Sequence, residues 1–310
     1  MPVTFHEPVL VEAVGRYWLH RPHGLYVDAT VGGGGYERLL LSRCGPGVQV
    51  VGIDIDSEAL AAAGEALQEF GPRVVLRQGD FRDLGRILQE LGIDRVDGIL
   101  FDLGVSSHQL DTPNRGFSYR FEGPLDMRMD PGLPTTAEDI VARSSAEELA
   151  SLLYMFGEER QARRIAAAIV RARQKGPLHT TTQLAAVIRG AVRGPYQVKT
   201  LSRCFQALRM AVNQEHQALR QALEQVPGLL KPGGRAVVLS YESISDRITK
   251  GFLAREERGC ICPPSVPVCA CGRKPTLRVL TKRPVLPTAG ERQRNPRSRG
   301  AKLRAAERLP

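Results

Sequence analysis

Short runs of β-branched and aliphatic residues recur through the first hundred positions, each followed by a stretch with helical spacing. Leu25-Tyr-Val-Asp28 reads as a strand that ends in a glycine loop, and Glu37 to Cys44 as a helix stopped by Gly45-Pro46-Gly47. Val48 to Asp54 is the second strand. Ser57 then caps a helix running to about Glu69, closed by Gly71-Pro72. Val74-Val-Leu76 is the third strand and Val96 to Asp102 the fourth. Strands alternating with helices in this way predict an α/β domain with a parallel sheet covered on both faces.

The rhythm changes after Asp111. As far as Pro134 the chain is rich in Gly, Pro, Asp and Arg, which is loop chemistry. From Thr135 to about Val226 it reads as helices, with capping-box spellings at Thr135-x-x-Glu138 and Ser145-x-x-Glu148. Ala162 to Arg173 is amphipathic, with Ile165 and Ile169 on one face and Arg163, Arg164, Arg171 and Arg173 elsewhere. Gly233-Gly234 then introduces an apolar strand, Arg235 to Ser240. The expected organisation is a discontinuous α/β domain, 1–110 and 227–310, interrupted by a helical insertion, 111–226. No internal repeat is visible.

Composition adds little until the charge is located. The chain is 42% apolar and 25% charged, and no stretch approaches the roughly 18 apolar residues of a membrane span. Its first residues lack the basic-then-apolar layout of a secretory signal, so a cytoplasmic protein is expected. The net charge of +10 resides in Arg273–Pro310, where 12 Lys and Arg face 2 acids; the rest is balanced. A block of this kind suits a polyanion such as a phosphate backbone, and equally describes a solvated basic tail. Of six cysteines, Cys44 and Cys204 stand alone. Cys260-Ile-Cys262 and Cys269-Ala-Cys271 form a cluster around Pro263, Pro264 and Pro267, which in a cytoplasmic chain points to a structural zinc site or to a reduced, proline-stiffened loop.

The glycine loop, Asp28-Ala-Thr-Val-Gly-Gly-Gly-Gly35, joins a strand to a helix and lets a ligand approach the backbone closely. No Gly-Lys-Ser/Thr follows, which excludes a P-loop. Gly32-x-Gly34 with Asp54 beyond it admits a dinucleotide fingerprint, the acid taking ribose hydroxyls. Yet Asp28, Asp54, Asp80 and Asp102 all fall at strand ends, where such sheets bind ligands. That many carboxylates would repel a pyrophosphate and suit a donor carrying a sulfonium and an ammonium, as S-adenosylmethionine does. Each acid alone also fits a helix N-cap. Phe81 fits a contact with adenine or a place in the core.

From Phe101 the motifs become specific. The chain resembles the RsmH (MraW) family of bacterial methyltransferases, nearly end to end. The resemblance rests on His6-Glu-Pro-Val-Leu, the Asp28 loop, Asp102-Leu-Gly-Val-Ser-Ser-His-Gln-Leu-Asp111, Arg115-Gly-Phe-Ser118 and Gly123-Pro-Leu-Asp-Met-Arg-Met-Asp130. It continues through Gly157-Glu-Glu-Arg160, Phe205 to Asn213, Asn295-Pro-Arg-Ser-Arg299 and Ala301-Lys-Leu-Arg304. It implies a Rossmann-like methyltransferase domain with a helical insertion that recognises RNA. It implies methyl transfer from S-adenosylmethionine to the exocyclic N4 of a cytidine in the decoding region of 16S ribosomal RNA, in the small ribosomal subunit. By the same resemblance Gly34, Gly35 and Tyr36 meet the cofactor through their backbone, Asp54 binds its ribose, Phe81 lies by the adenine, and Asp102 and Gln109 complete the site. The chain departs from the family at Gly33, where Arg is usual, at Tyr36-Glu37, where His-Ser is usual, and at Glu242, where a His is usual. These departures keep open a paralogue acting on another RNA or on DNA, or an assembly factor without turnover.

Asp102 has two readings as a functional residue: it accepts hydrogen bonds from the target amine with the backbone of Leu103–Val105, or it only binds cofactor. Arg115, Arg120, Arg128, Arg203 and Arg209 are candidate phosphate contacts. Trimming after about Thr281 is expected to weaken RNA binding and leave cofactor binding intact.

Overall fold

The computed structural model describes residues 8–192, 197–263 and 268–310. His6 and Glu7 of the first family block, with Pro264 and Pro267 of the cysteine loop, lie outside the described residues. The chain divides into two compact units, one of Thr4–Gly104 with His216–Pro310 and one centred on Val105–Glu215.

The first unit is built on a seven-stranded sheet of order β3-β2-β1-β4-β5-β7-β6. Its strands are β1 (Gly24–Asp28), β2 (Val48–Asp54), β3 (Val74–Gln78), β4 (Val96–Asp102), β5 (Leu230–Ser240), β6 (Leu277–Val279) and β7 (Lys302–Arg308). The five strands from β3 to β5 are parallel, and β7 and β6 close the far edge antiparallel. The α/β reading with a mostly parallel sheet is therefore correct. Alternation supplies both faces with core. Val27, Val51, Ile53, Ile99, Phe101, Ala236 and Val238 pack on one side, and Tyr26, Val50, Leu100, Val237 and Leu239 on the other.

Local details correct the pattern reading by one position. Asp56, not Ser57, caps the helix Ser57–Ala66, because its extended backbone lets its carboxylate accept from the N–H of Glu58. That helix gives way before Glu69 to a 3₁₀ segment, Gln68–Arg73. β5 begins five residues before Arg235, and its register with β4 shifts between Val96 and Gly98.

The larger correction concerns the basic C-terminal block, which is no solvated tail. β7 pairs with β5 from Arg235↔Glu307 to Ser240↔Lys302 and buries Leu303, Ala305 and Ala306. Several of its cations serve the fold. Arg304 and Lys302 pair with Asp246, Arg278 with Glu307, and Arg273 with Glu256. Trimming after Thr281 would therefore remove a strand of the central sheet, which counts against the expectation that cofactor binding survives it.

The second unit is helical. Its helices include Ala137–Arg143, Ala146–Gly157, Ala162–Arg173, Thr181–Ala191 and Gln197–Asn213. Its own core gathers Leu125, Met127, Leu149, Leu153, Ile165, Ile169, Leu184, Ile188, Phe205 and Leu208, so the amphipathic face read at Ile165 and Ile169 is buried as expected. The capping box at Ser145 and Glu148 is present, whereas the first box belongs to Thr136 and Asp139. Glu138 instead faces His179 at 2.8 Å.

Candidate functional site: the carboxyl ends of the parallel strands

Parallel pairing brings the acids of β1, β2 and β4 to one edge of the sheet. Asp28 is in register with Gly52 of β2 and Leu100 of β4, Asp54 with Gln78 of β3, and Asp102 with Leu239 of β5. The glycine loop crosses this edge. Gly32 and Gly34 both have positive φ, 52° and 74°, a conformation that glycine adopts without a Cβ penalty. A Cβ on Gly34 would also lie 2.8 Å from the Leu67 side chain. The helix Gly35–Leu41 starts directly on that turn.

Asp54 has a task the sequence did not announce. One oxygen accepts from the N–H of Gly32 at 2.8 Å and the other from that of Asp56 at 2.9 Å, so the carboxylate latches the glycine loop to β2. Burial pushes its pKa up to about 6 against those hydrogen bonds. The lone pairs that these bonds leave over can accept from a ligand hydroxyl. Thr30 provides a matching link on the other side. Its N–H and hydroxyl both donate to Asp28 Oδ1, and its hydroxyl oxygen accepts from the N–H of Asp102 at 2.7 Å.

Asp28 and Glu37 form the most unusual feature. Both are fully buried, and with both ionised neither Glu37 oxygen nor Asp28 Oδ2 has a hydrogen-bond partner among the described residues. A single proton held between them satisfies the pair, the behaviour of two carboxyls that cannot both ionise at close range. Burial, then the charge of Glu37, lifts Asp28 well above the carboxylate range, with Asp102 adding to the effect. Burial lifts Glu37 to about 7. No cation pairs with either acid among the described residues. Glu37 was visible in the sequence only as a departure from the family; a Glu in a first helical turn otherwise reads as a surface residue.

Two phenols complete the edge. Tyr36, from the first turn of the loop helix, donates to the carbonyl of Val9 at 2.7 Å. Tyr241, just past β5, is half-buried with its hydroxyl enclosed, and burial followed by the charge of Asp102 raises its pKa far above that of free tyrosine. Asp80 goes the other way. It accepts from Arg82 N–H and pairs with the Arg82 guanidinium at 2.7 Å, so it follows the capping reading and leaves the ring of uncommitted acids. Phe81 is half-buried and meets Phe101 edge-on at 6.0 Å. Gln109 belongs to the helical unit, where its side chain accepts from Ser106 N–H as part of a capping box. Glu242 caps the helix Ser243–Arg258 through the N–H groups of Ile244 and Ser245 and faces His216. Burial works against it, but those partners hold its carboxyl below the usual range, so the position has a structural role of its own.

Most of the arginines proposed for phosphate are occupied. Arg115 is buried and donates to the carbonyls of Arg128 and Met129. Arg128 forks onto Asp126 and donates to the carbonyls of Pro131 and Leu133; Arg209 forks onto Glu215. Arg203 faces the buried Glu159 at 3.6 Å. Arg120 is exposed and keeps its candidacy. Elsewhere, the sulfurs of Cys260, Cys262, Cys269 and Cys271 lie within 4.8 Å of one another. No helix is long and apolar enough to cross a membrane among the described residues.

Comparison with known proteins agrees along the whole length. A protein of Thermomicrobium roseum named "Ribosomal RNA small subunit methyltransferase H" is 50% identical over 307 residues, covering 99% of this chain and 94% of the relative. One of the same name from Geobacter sulfurreducens is 50% identical over 311 residues, covering 99% and 100%. Among solved structures, an rRNA methylase from Streptococcus thermophilus covers 97% of this chain and 94% of its own at 11% identity and a TM-score of 0.42, a likeness too slight to carry weight beside the sheet order itself. The profile of the MraW methylase family matches residues 3–309, and the chain belongs to that family.

Proposed function

We propose that this protein transfers a methyl group from S-adenosylmethionine to the exocyclic N4 of a cytidine in the decoding region of 16S ribosomal RNA, within the small ribosomal subunit. The observation that carries the reading is the anionic edge of the sheet: Asp28, Glu37, Asp54 and Asp102 around a glycine turn, in a chain matched end to end by small-subunit ribosomal RNA methyltransferases. Orphaned buried carboxylate oxygens on Asp28 and Glu37 fit a cationic donor and would oppose a pyrophosphate.

In this reading the donor supplies an activated methyl on a sulfonium. The backbone of Gly34, Gly35 and Tyr36 lets it approach, Asp54 takes the ribose hydroxyls, Phe81 lies against the adenine, and Asp102 completes the pocket. Asp28 and Glu37 balance its positive charge, and the proton they share departs as the cation enters. The cytidine amine is a poor nucleophile because its lone pair is delocalised, so the protein's task is to align it with the methyl and accept its hydrogen bonds. Asp102 is the residue for that task, its main chain fixed by Thr30 and that of Leu103 by the carbonyl of Leu239. The helical unit, residues 111–226 in the sequence division, holds the RNA, whose target base must leave its stack.

Labelled methyl transfer from S-adenosylmethionine to small subunits lacking the modification, followed by nucleoside analysis, tests the proposal. N4-methylated cytidine is the expected product. Label on a different substrate alone would establish a paralogue, and no label at all an assembly factor. An Asp102→Asn variant that binds donor normally but turns over at least about a hundredfold more slowly supports the amine-facing role; lost donor binding supports the cofactor role.

A further inference from the structure

Outside the methyl-transfer site, one cluster of side chains has a geometry that their packing does not explain. The loop between the helix Ser243–Arg258 and β6 carries four cysteines and almost no core: Ile261 and Val268 are 53% and 75% exposed. Its base is nonetheless closed tightly. Gly259 has φ 70°, and a Cβ there would fall 2.4 Å from the nitrogen of Pro275. Arg273 donates to both oxygens of Glu256, and Thr276 bonds the same residue through main chain and side chain.

Above that base the sulfurs converge. Cys269 Sγ lies 3.6 Å from Cys271 Sγ, and Cys271 Sγ lies 3.8 Å from Cys260 Sγ. A disulfide requires about 2.05 Å. Four thiolates at about 2.3 Å from a tetrahedral zinc ion are about 3.8 Å apart, the edge of that tetrahedron. Both arms of the loop contribute two ligands.

We propose that Cys260, Cys262, Cys269 and Cys271 form a tetrathiolate site for a structural Zn²⁺ ion that fastens this loop to the sheet edge. All-sulfur ligation selects a soft or borderline cation over Mg²⁺ or Ca²⁺, and a closed four-ligand shell leaves no open position for chemistry. Binding releases the thiol protons to solvent and needs no oxidant. The site is independent of the methyl-transfer reading, since none of its ligands belongs to the strand-end pocket.

The test uses the full chain, expressed in zinc-supplemented medium and purified without chelator, with metal measured by mass spectrometry. About one zinc per chain is expected, and replacement by Co²⁺ should give the visible bands of tetrahedral thiolate-bound cobalt. Cys260→Ser with Cys269→Ser should abolish both and make the loop a site of proteolysis, as should chelation of the wild-type protein, which guards against a variant that fails to fold. Cys44→Ser should retain the metal. Well under one equivalent of zinc, stoichiometric iron in its place, absent cobalt bands, or a disulfide among the four in protein thiol-blocked at lysis would overturn the proposal.

Discussion

The two ends of the central sheet treat buried acid in opposite ways. At the amino end of β4, Asp97 is buried but met by Arg21 and Lys231, each at 2.8 Å, and by the N–H of Leu25. Burial would raise its pKa, yet these partners hold it below the ordinary value. At the carboxyl end Asp28 and Glu37 are buried against each other, and both are raised. Charge at one end is neutralised by cations of the protein itself; at the other no cation pairs with the two acids among the described residues, and their pKa values rise instead. Costly unpaired groups persist where a site uses them.

The largest test of this contrast removes the platform that carries both ends. Truncation after Thr281 deletes β7, uncovers β5 and orphans Asp246, a loss on the scale of a domain's whole net stability of about 5–15 kcal/mol. The truncated chain should be insoluble or molten by near-ultraviolet circular dichroism. A cooperative melt that retained donor binding would show that the C-terminal strands are dispensable.

Next in size is the functional end. Asp28→Asn should weaken S-adenosylmethionine binding by roughly ten- to hundredfold, the worth of about 1.5–3 kcal/mol for a contact to a charged group. Calorimetry would show it, and unchanged affinity would mean that Asp28 serves only the loop. In the wild type the donor competes with the shared proton. Affinity should therefore rise as pH increases through about 7, the value for Glu37, with protons released on binding.

The structural end should respond in stability alone. Asp97→Asn removes the charge that holds Arg21 and Lys231, whose side chains are 38% and 43% exposed, so solvent screening limits the cost to about 1–2 kcal/mol. The melting temperature should fall by about 2–6 °C with donor affinity unchanged.

The smallest effect is the most discriminating. Glu37 is raised from 4.5 to about 7 on folding, so its burial costs nothing at low pH, where both states are protonated. The penalty grows as pH climbs from 4.5 through about 7. Glu37→Gln, whose amide can donate to Asp28, should melt about 2–4 °C higher than wild type near pH 8 and equally near pH 4. A uniform shift at both pH values would show that packing, not the proton, distinguishes Glu37.

How far the site could be read in advance follows from how local each signal is. Gly34, Asp54 and Asp102 are marked by spacing, because a strand, a tight turn and a helix must follow in order for them to face a ligand. Glu37 was not legible as a buried acid, since its burial comes from Asp28 on a different element and not from any period in its helix. The basic C-terminal block misled for the same reason. Arg304 and Lys302 look like a polyanion arm until Asp246, more than fifty residues earlier, is seen beside them.

The sequence by itself determined the alternation of strands and helices, the glycine turn and the family, because each rests on residues close together in the chain or on ordered blocks. Only the tertiary structure decided the partners: that Asp97 is met by Arg21 and Lys231 while Asp28 and Glu37 are buried without a cation among the described residues, that β7 completes the sheet, and that the sulfurs of two Cys-x-Cys pairs lie within 4.8 Å of one another. Such outcomes depend on distances between segments far apart in sequence. Those distances are set by the packing of the sheet and its helices, which no local pattern records.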